Sequence, residues 1–247
     1  KCRALIINSG NANAHTGVIG IRNIDKYTDE LAKYLSCSKS DILVSSTGVI
    51  GEQLNPNLIS KKIKQLPLLK EKKLIDAAKA IGTTDTFVKT SVHKIKIYNQ
   101  TINCYGFAKG SGMINPNMAT MLAYIFIDCE ITTENLSKLM SDNIGETFNS
   151  ITVDSDTSTS DTLILFSLNN ESINFNIQNN FKILNNSIKE LMKDLSIKVV
   201  KDGEGLSKLI KVNIQNSKTK DQAKKIGFSI INSPNLCPVF GSSLKLD

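Results

Sequence analysis

The stretch "GSGMINPNMATMLAYIFID", residues 110 to 128, constrains the fold more than any other part of the chain. Two glycines, a proline and two asparagines give way at Thr120 to the nearly uninterrupted apolar run Met121 to Ile127. Gly, Pro and Asn punctuate turns, and a short apolar run bounded by turn signals reads as a strand buried on both faces. Such a strand needs covering layers, which points to a layered core. It also leaves a hydroxyl, that of Thr120, where a loop enters the buried strand.

The flanking segments supply those layers. "RALIIN" (3–8) reads as a short buried strand, and Ile24, Tyr27, Leu31 and Tyr34 predict a helix over 23–35. Ile42 to Ser45 reads as a strand, and 57–81 as two helices broken near Pro67. Alternation around "NQ" predicts a hairpin over 94–107. A helix over 132–148, with Thr133 in its capped first turn, is followed by strand 162–168, helix 181–200, strand 208–214 and helix 221–231. Strand pairs alternate with helix pairs rather than repeating a βα unit, so a layered α/β protein with mixed sheets is expected, not a Rossmann fold or barrel.

Length and composition fit a soluble globular class. A chain of 247 residues with 40% hydrophobic and 21% charged residues can bury a large core. Nothing reaches the roughly 18 apolar residues needed to cross a bilayer, and no signal peptide is evident. The chain opens with Lys and runs straight into a strand-like segment, so a fragment or processed product is expected. The net charge of +7 comes from lysines spread among acidic residues, without a basic run or interleaved aromatics. A solvated surface explains it better than nucleic acid or membrane binding, and an acidic small substrate would also suit it. Cys2, Cys37, Cys104, Cys129 and Cys237 form no CxxC pair, so neither zinc nor a disulfide framework is indicated. Reduced thiols and a cytoplasmic location are expected. With only His15 and His93, a Ser-His-Asp or two-histidine metal site has little support.

Four clusters at predicted strand ends carry the polar chemistry: "NSGNANAHTG", "SSTGVIGE", "GTTDT" and "DSDTSTSDT". They suit a substrate cleft, although the same residue types also make ordinary turns. None matches a nucleotide phosphate loop. Thr120 raises a sharper possibility. An alcohol is a weak nucleophile without a base, and histidines are scarce here. One solution is the nucleophile's own α-amino group, which requires the Ala119–Thr120 bond to be cut. On spacing alone, a buried threonine capping a strand is the simpler reading.

"KGSGMINPNMATML" (109–122) resembles the processing motif of the bifunctional glutamate N-acetyltransferase/ornithine acetyltransferase family of arginine biosynthesis. "NSGNANAHTG", "SSTGVIGE", "GTTDTFVK", "TVDSDTSTSDT" and "KDGEG" follow that family's order, from about residue 3 to about residue 233. The resemblance implies an αββα sandwich, two stacked mixed sheets flanked by helices, over 1–197. Residues 198–247 would begin a smaller second domain. It implies self-cleavage between Ala119 and Thr120 into segments 1–119 and 120 onward, which stay together and assemble as a heterotetramer. Thr120 would serve as nucleophile, with Thr47 and Gly48 as the oxyanion hole and Thr83, Lys109 and Glu204 binding substrate. The implied reaction moves an acetyl group from N2-acetyl-L-ornithine to L-glutamate through an acetyl-threonine ester. It needs no metal or cofactor, and some members also use acetyl-CoA. A related self-processing aminopeptidase, or an inactive truncated scaffold, is the alternative.

The departures lie at the ends. The family's chain extends further on both sides, and its carboxy-terminal region supplies an Asn and a Ser/Thr to the substrate site. "NSPNLCPVFGSSLKLD" does not follow the family's Gly-Asp-Pro-Asn-like continuation. An incomplete pocket is therefore expected of this stretch alone.

Overall fold

The computed structural model describes residues 1–114, 121–156, 158–168 and 173–233, together with the backbone of 243–246. These fall into two compact units, Lys1–Thr83 and Thr84–Asp247.

The first unit is a parallel strand pair with helices. Strand β1 (Ala4–Asn11) leads into helix α1 (Gly17–Leu35), which returns the chain to β2 (Ile42–Val49), in register from Ala4 opposite Ile42 to Gly10 opposite Gly48. Tyr27, Leu31 and Ala32 of α1 pack with Ile42 and with Ile63 of helix α2 (Pro56–Gln65). Asn55 caps α2 and Pro56 opens it, where a missing N–H is harmless. The predicted break at Pro67 is a single 3-10 turn, Leu66–Leu68, before α3 (Leu74–Ala80). Both strands run further than their apolar residues do. Parallel pairing carries β1 through Ser9-Gly10-Asn11 and β2 through Ser46-Thr47-Gly48-Val49. Helix α1 likewise starts at Gly17, through the exposed Val18, Ile19 and Ile21, which lie off the buried stripe.

The second unit holds two mixed sheets flanked by helices, the layered α/β architecture expected from the sequence. The larger has strand order β3-β4-β5-β7: the hairpin β3 (Lys89–Ile97) and β4 (Gln100–Lys109), then β5 (Leu122–Ile127) antiparallel to β4, and β7 (Thr162–Ser167) parallel to β5. Strand β5 is buried on both faces. Ala123, Ile125 and Ile127 point into the main core, while Leu122 and Tyr124, on the opposite face, are equally covered. Helix α5 (Gln178–Lys201) lies across this sheet with Leu184, Ile188, Leu191, Leu195 and Val199 on one stripe, each worth roughly 1.5–3 kcal/mol of burial. Gly106 of β4 permits that approach, since a Cβ there would sit 2.7 Å from a Leu191 methyl. Helix α4 (Thr133–Ile144) is capped by the Thr132 hydroxyl, one residue before the expected threonine, and ends four residues early, followed by a 3-10 turn at Phe148–Ser150.

The smaller sheet, β6-β9-β8, joins β6 (Ile151–Thr152), β9 (Ser243–Leu246) and β8 (Leu209–Val212), with α6 (Lys220–Ile231) beside it. Strands β6 and β9 are absent from the sequence reading. β6 has two residues, and β9 has too few apolar residues to signal itself before its partners are known. No helix among the described residues is long and apolar enough to cross a membrane.

Candidate functional site

Lys109 ends β4, directly opposite Leu122 at the start of β5. It is 3% exposed. Burial pushes its ammonium pKa down. Lys89 adds to the fall, while Asp85 and Glu204 oppose it.

A second buried lysine organises the carboxylates around it. The Lys89 side chain is wholly enclosed, and its Nζ lies 2.5 Å from both Asp85 Oδ1 and Asp202 Oδ2. The same ammonium sits 4.9 Å from the centre of the Phe87 ring. Asp202, at the end of α5, also accepts the Thr86 N–H at 2.9 Å and the Thr86 hydroxyl. Asp85 Oδ1 accepts the Gly110 N–H at 2.8 Å. Lys89 thus joins "GTTDTFVK" to "KDGEG", and Asp85 joins both to "KGSG".

Glu204 stands over this cluster. Its N–H donates to the Ser111 carbonyl at 2.7 Å, and the Ser111 and Thr84 hydroxyls are 2.5 Å apart. Its carboxylate lies on the bare Cα of Gly112, where an added Cβ would come 2.7 Å from Glu204 Cδ. Three carboxylates (Asp85, Asp202, Glu204) against two ammoniums (Lys89, Lys109) leave one negative charge in excess when all are ionised. That excess suits the cationic group of a ligand.

The motif "TVDSDTSTSDT" grips both flanks of residues 115–120. On the near side, Asp154 accepts the Ile114 N–H at 2.8 Å and the Met113 N–H, while the Ile114 carbonyl accepts from Val153 N–H at 2.7 Å and the Thr152 hydroxyl at 3.0 Å. Met113 is held at φ 56°, a left-handed conformation that an unbranched residue adopts only when its surroundings fix it. On the far side, Asp161 Oδ1 accepts the Met121 N–H at 2.7 Å, and the Met121 carbonyl accepts from Thr162 N–H at 2.9 Å. Asp161 Oδ2 is buried with no hydrogen-bond partner among the described residues. Desolvation raises this carboxyl to about 7, against the smaller opposing effect of the Met121 N–H.

In the first unit, "NSGNANAHTG" and "SSTGVIGE" lie side by side at the carboxyl ends of β1 and β2, where open parallel sheets present ligand-binding loops. Thr47 is 1% exposed. Gly48 has φ +126°, and a Cβ on it would meet the Gly10 carbonyl carbon at 2.3 Å, so only glycine fits. Thr83 is the exposed last residue of this unit. Lys109 and Glu204 come together in the second unit, and Thr47 and Gly48 in the first. Ala119 and Thr120 lie outside the described residues. Sequence reasoning did not single out Lys89, Asp85, Asp202, Asp154 or Asp161. Asp85, Asp154 and Asp161 were signalled only by the Thr-Asp clusters, and Lys89 and Asp202 only by the motifs "GTTDTFVK" and "KDGEG".

Comparison with known proteins adds an independent line. The ArgJ family profile matches residues 1–243. The arginine biosynthesis bifunctional protein ArgJ of Bartonella henselae is 41% identical over 236 residues, covering 94% of this chain and 58% of that protein. Its counterpart in Brucella suis is 40% identical over 241 residues, covering 95% of this chain and 58% of that protein. The chain therefore spans under two thirds of the length of these relatives. A crystal structure of the arginine biosynthesis bifunctional protein ArgJ from Bacillus halodurans has 39% identity and a TM-score of 0.43, covering 47% of this chain and 61% of that one.

Proposed function

The chain belongs to the ArgJ family, and from that membership we propose that the complete protein containing it is an acetyltransferase of arginine biosynthesis. It moves an acetyl group from N2-acetyl-L-ornithine to L-glutamate. The observation that carries the reading is the union of "GTTDTFVK", "KGSG" and "KDGEG" into one charged cluster, with Lys109 opposite the first residue of β5.

In this reading the protein first cleaves itself. The Thr120 hydroxyl attacks the Ala119 carbonyl, the acyl group shifts from nitrogen to oxygen, and water hydrolyses the ester. The exposed α-amine of Thr120 then acts as base for the adjoining hydroxyl. The hydroxyl attacks the acetyl carbonyl of the donor, and the Thr47 hydroxyl with the Gly48 N–H stabilises the developing alkoxide. Lys109 binds the substrate α-carboxylate, which restores the charge that burial disfavours. Glu204 holds the side-chain ammonium of ornithine, and Thr83 adds a further substrate contact. Ornithine leaves, and glutamate takes the acetyl group from the threonine ester.

The chemistry calls on no metal or resident cofactor, and acetyl-CoA is a second donor in a bifunctional enzyme. The segments 1–119 and 120 onward remain associated and pair into a heterotetramer in the cytoplasm. Residues 1–197 belong to the catalytic sandwich of the complete protein, and 198–247 open its second domain. The test is ornithine release from N2-acetylornithine by the complete protein, with and without glutamate. Release beyond one ornithine per enzyme that requires glutamate and yields N-acetylglutamate supports the reading. Release into water alone indicates an aminopeptidase or amidase, and no release at all indicates an inactive scaffold.

A further inference from the structure

An N2-acetyl diamino acid carries its α-carboxylate and its side-chain ammonium at a separation set by its methylenes. Each methylene changes that separation by about 1.3 Å. Selecting one chain length therefore requires the two groups that receive these charges to be held to within one such step.

A closed ring of contacts joins Lys109 to Glu204, and it meets at Lys89. The Lys89 Nζ lies 2.5 Å from Asp85 Oδ1 and 2.5 Å from Asp202 Oδ2, with none of its side chain in solvent. Asp85 Oδ1 also accepts the N–H of Gly110, the residue after Lys109, at 2.8 Å. Asp202 stands two residues before Glu204, whose N–H donates to the Ser111 carbonyl at 2.7 Å. The Ser111 and Thr84 hydroxyls, 2.5 Å apart, close the ring next to Asp85. Its two ends are near enough to interact, since the Glu204 carboxylate opposes the fall in the Lys109 pKa.

We propose that Lys89 is a positioning residue that sets the separation of Lys109 and Glu204, and with it the selection of the ornithine skeleton over homologues one methylene longer or shorter. This deepens the acetyltransferase reading and rests on it, because Lys109 and Glu204 bind substrate only there. Lys89 itself touches no substrate.

Two carboxylates explain the leverage. The Asp85 and Asp202 side chains are 7% and 2% exposed, and one ammonium brings them together. Without it they repel in surroundings that screen little. Asp85 carries Gly110 and so Lys109, while Asp202 carries the turn to Glu204. Thr86 donates its N–H and its hydroxyl to Asp202, which keeps the two segments joined. The expected result is therefore a shift of up to about 1 Å rather than a separation, and a misplacement of that size can cost about 100-fold in rate.

The test compares kcat/KM of the complete protein for N2-acetyl-L-ornithine, N2-acetyl-L-lysine and N2-acetyl-L-2,4-diaminobutyrate, with glutamate as acceptor. The ratio between donors does not depend on how much of a preparation is folded, so a merely structural role leaves it unmoved. Wild type should prefer acetylornithine, and Lys89→Met should cut that preference by about 10-fold or more. Leu191→Ala opens a cavity in the buried stripe of α5 outside the ring, and should lower stability while keeping the wild-type ratio. Asp202→Asn decides the matter if Lys89→Met does not fold. It keeps an oxygen for the Thr86 N–H, weakens the hold on Lys89, and should lose part of the preference. A wild-type ratio in Lys89→Met, or in Asp202→Asn where it stands in, overturns the role of Lys89 and leaves the acetyltransferase reading standing. An equal loss of preference in Leu191→Ala, or an unselective wild type, does the same. A wild type that forms no N-acetylglutamate from acetylornithine and glutamate removes both.

Discussion

Two clusters of opposite charges in the second unit have similar composition and opposite settings. At the candidate site, Lys89 is sealed between Asp85 and Asp202 with none of its side chain in solvent. On the surface near α6, Glu146 is held between Lys189 and Lys220, and all three groups keep solvent contact. Pairing in water is cheap to make and cheap to lose, whereas a buried lysine must have its partners to exist as a cation. The buried cluster therefore fixes the relative positions of three motifs, and the surface one merely decorates α4, α5 and α6.

The contrast can be broken most severely at Lys89. Replacing it with Met strands two buried carboxylates, and a loss of about 3–5 kcal/mol is expected from the urea midpoint. A loss no larger than that of a surface pair would mean that the cluster is not sealed. Gly112→Ala sharpens the difference between holding the fold and holding a ligand. The new methyl displaces the far end of the Glu204 side chain rather than any backbone. Stability should fall by no more than about 1 kcal/mol, while KM for acetylornithine rises with kcat less affected. An unchanged KM would remove Glu204 from the substrate site.

The smallest effect belongs to Glu146. The Lys189 and Lys220 ammoniums hold its carboxyl at about 2, below its usual range. Its contribution is therefore present above pH 4.5, the ordinary value, and is lost as pH falls toward 2. Screening by solvent keeps Glu146→Gln under about 1 kcal/mol at neutral pH. A larger loss would place this cluster in the same class as the buried one. Asp161 has the opposite sign. A carboxyl raised in the folded state makes stability decline as pH climbs from about 4 to about 7, and Asp161→Asn should remove that slope.

Legibility in the sequence followed the range of each interaction. The stripe on α5, the double burial of β5 and the hairpin of β3 and β4 depend on neighbours a few residues away, and pattern alone reveals them. The polar ends of β1 and β2 are strand only because each pairs with the other, so apolar runs stopped short of them. Strands β6 and β9 exist through partners about ninety residues apart, roughly the reach that local periodicity cannot see. At the site, the Thr-Asp clusters were visible as motifs, and the resemblance supplied roles for Lys109 and Glu204. What remained hidden was the joint at Lys89, where Asp85 is four residues away and Asp202 lies at a sequence separation of 113. Asp161 was equally hidden, since nothing local distinguishes it from the other acids of "DSDTSTSDT" until its partner Met121, just before β5, and its second oxygen, unpartnered among the described residues, are known.

The most direct measurement is the intact mass of the fragments of the complete protein after brief exposure to N2-acetyl-L-ornithine without glutamate. One fragment should begin at Thr120 and carry a single acetyl group on that residue, which glutamate then removes. An acylated fragment with any other first residue, or a chain that turns over donor and acceptor while the Ala119–Thr120 bond stays whole, would contradict the account.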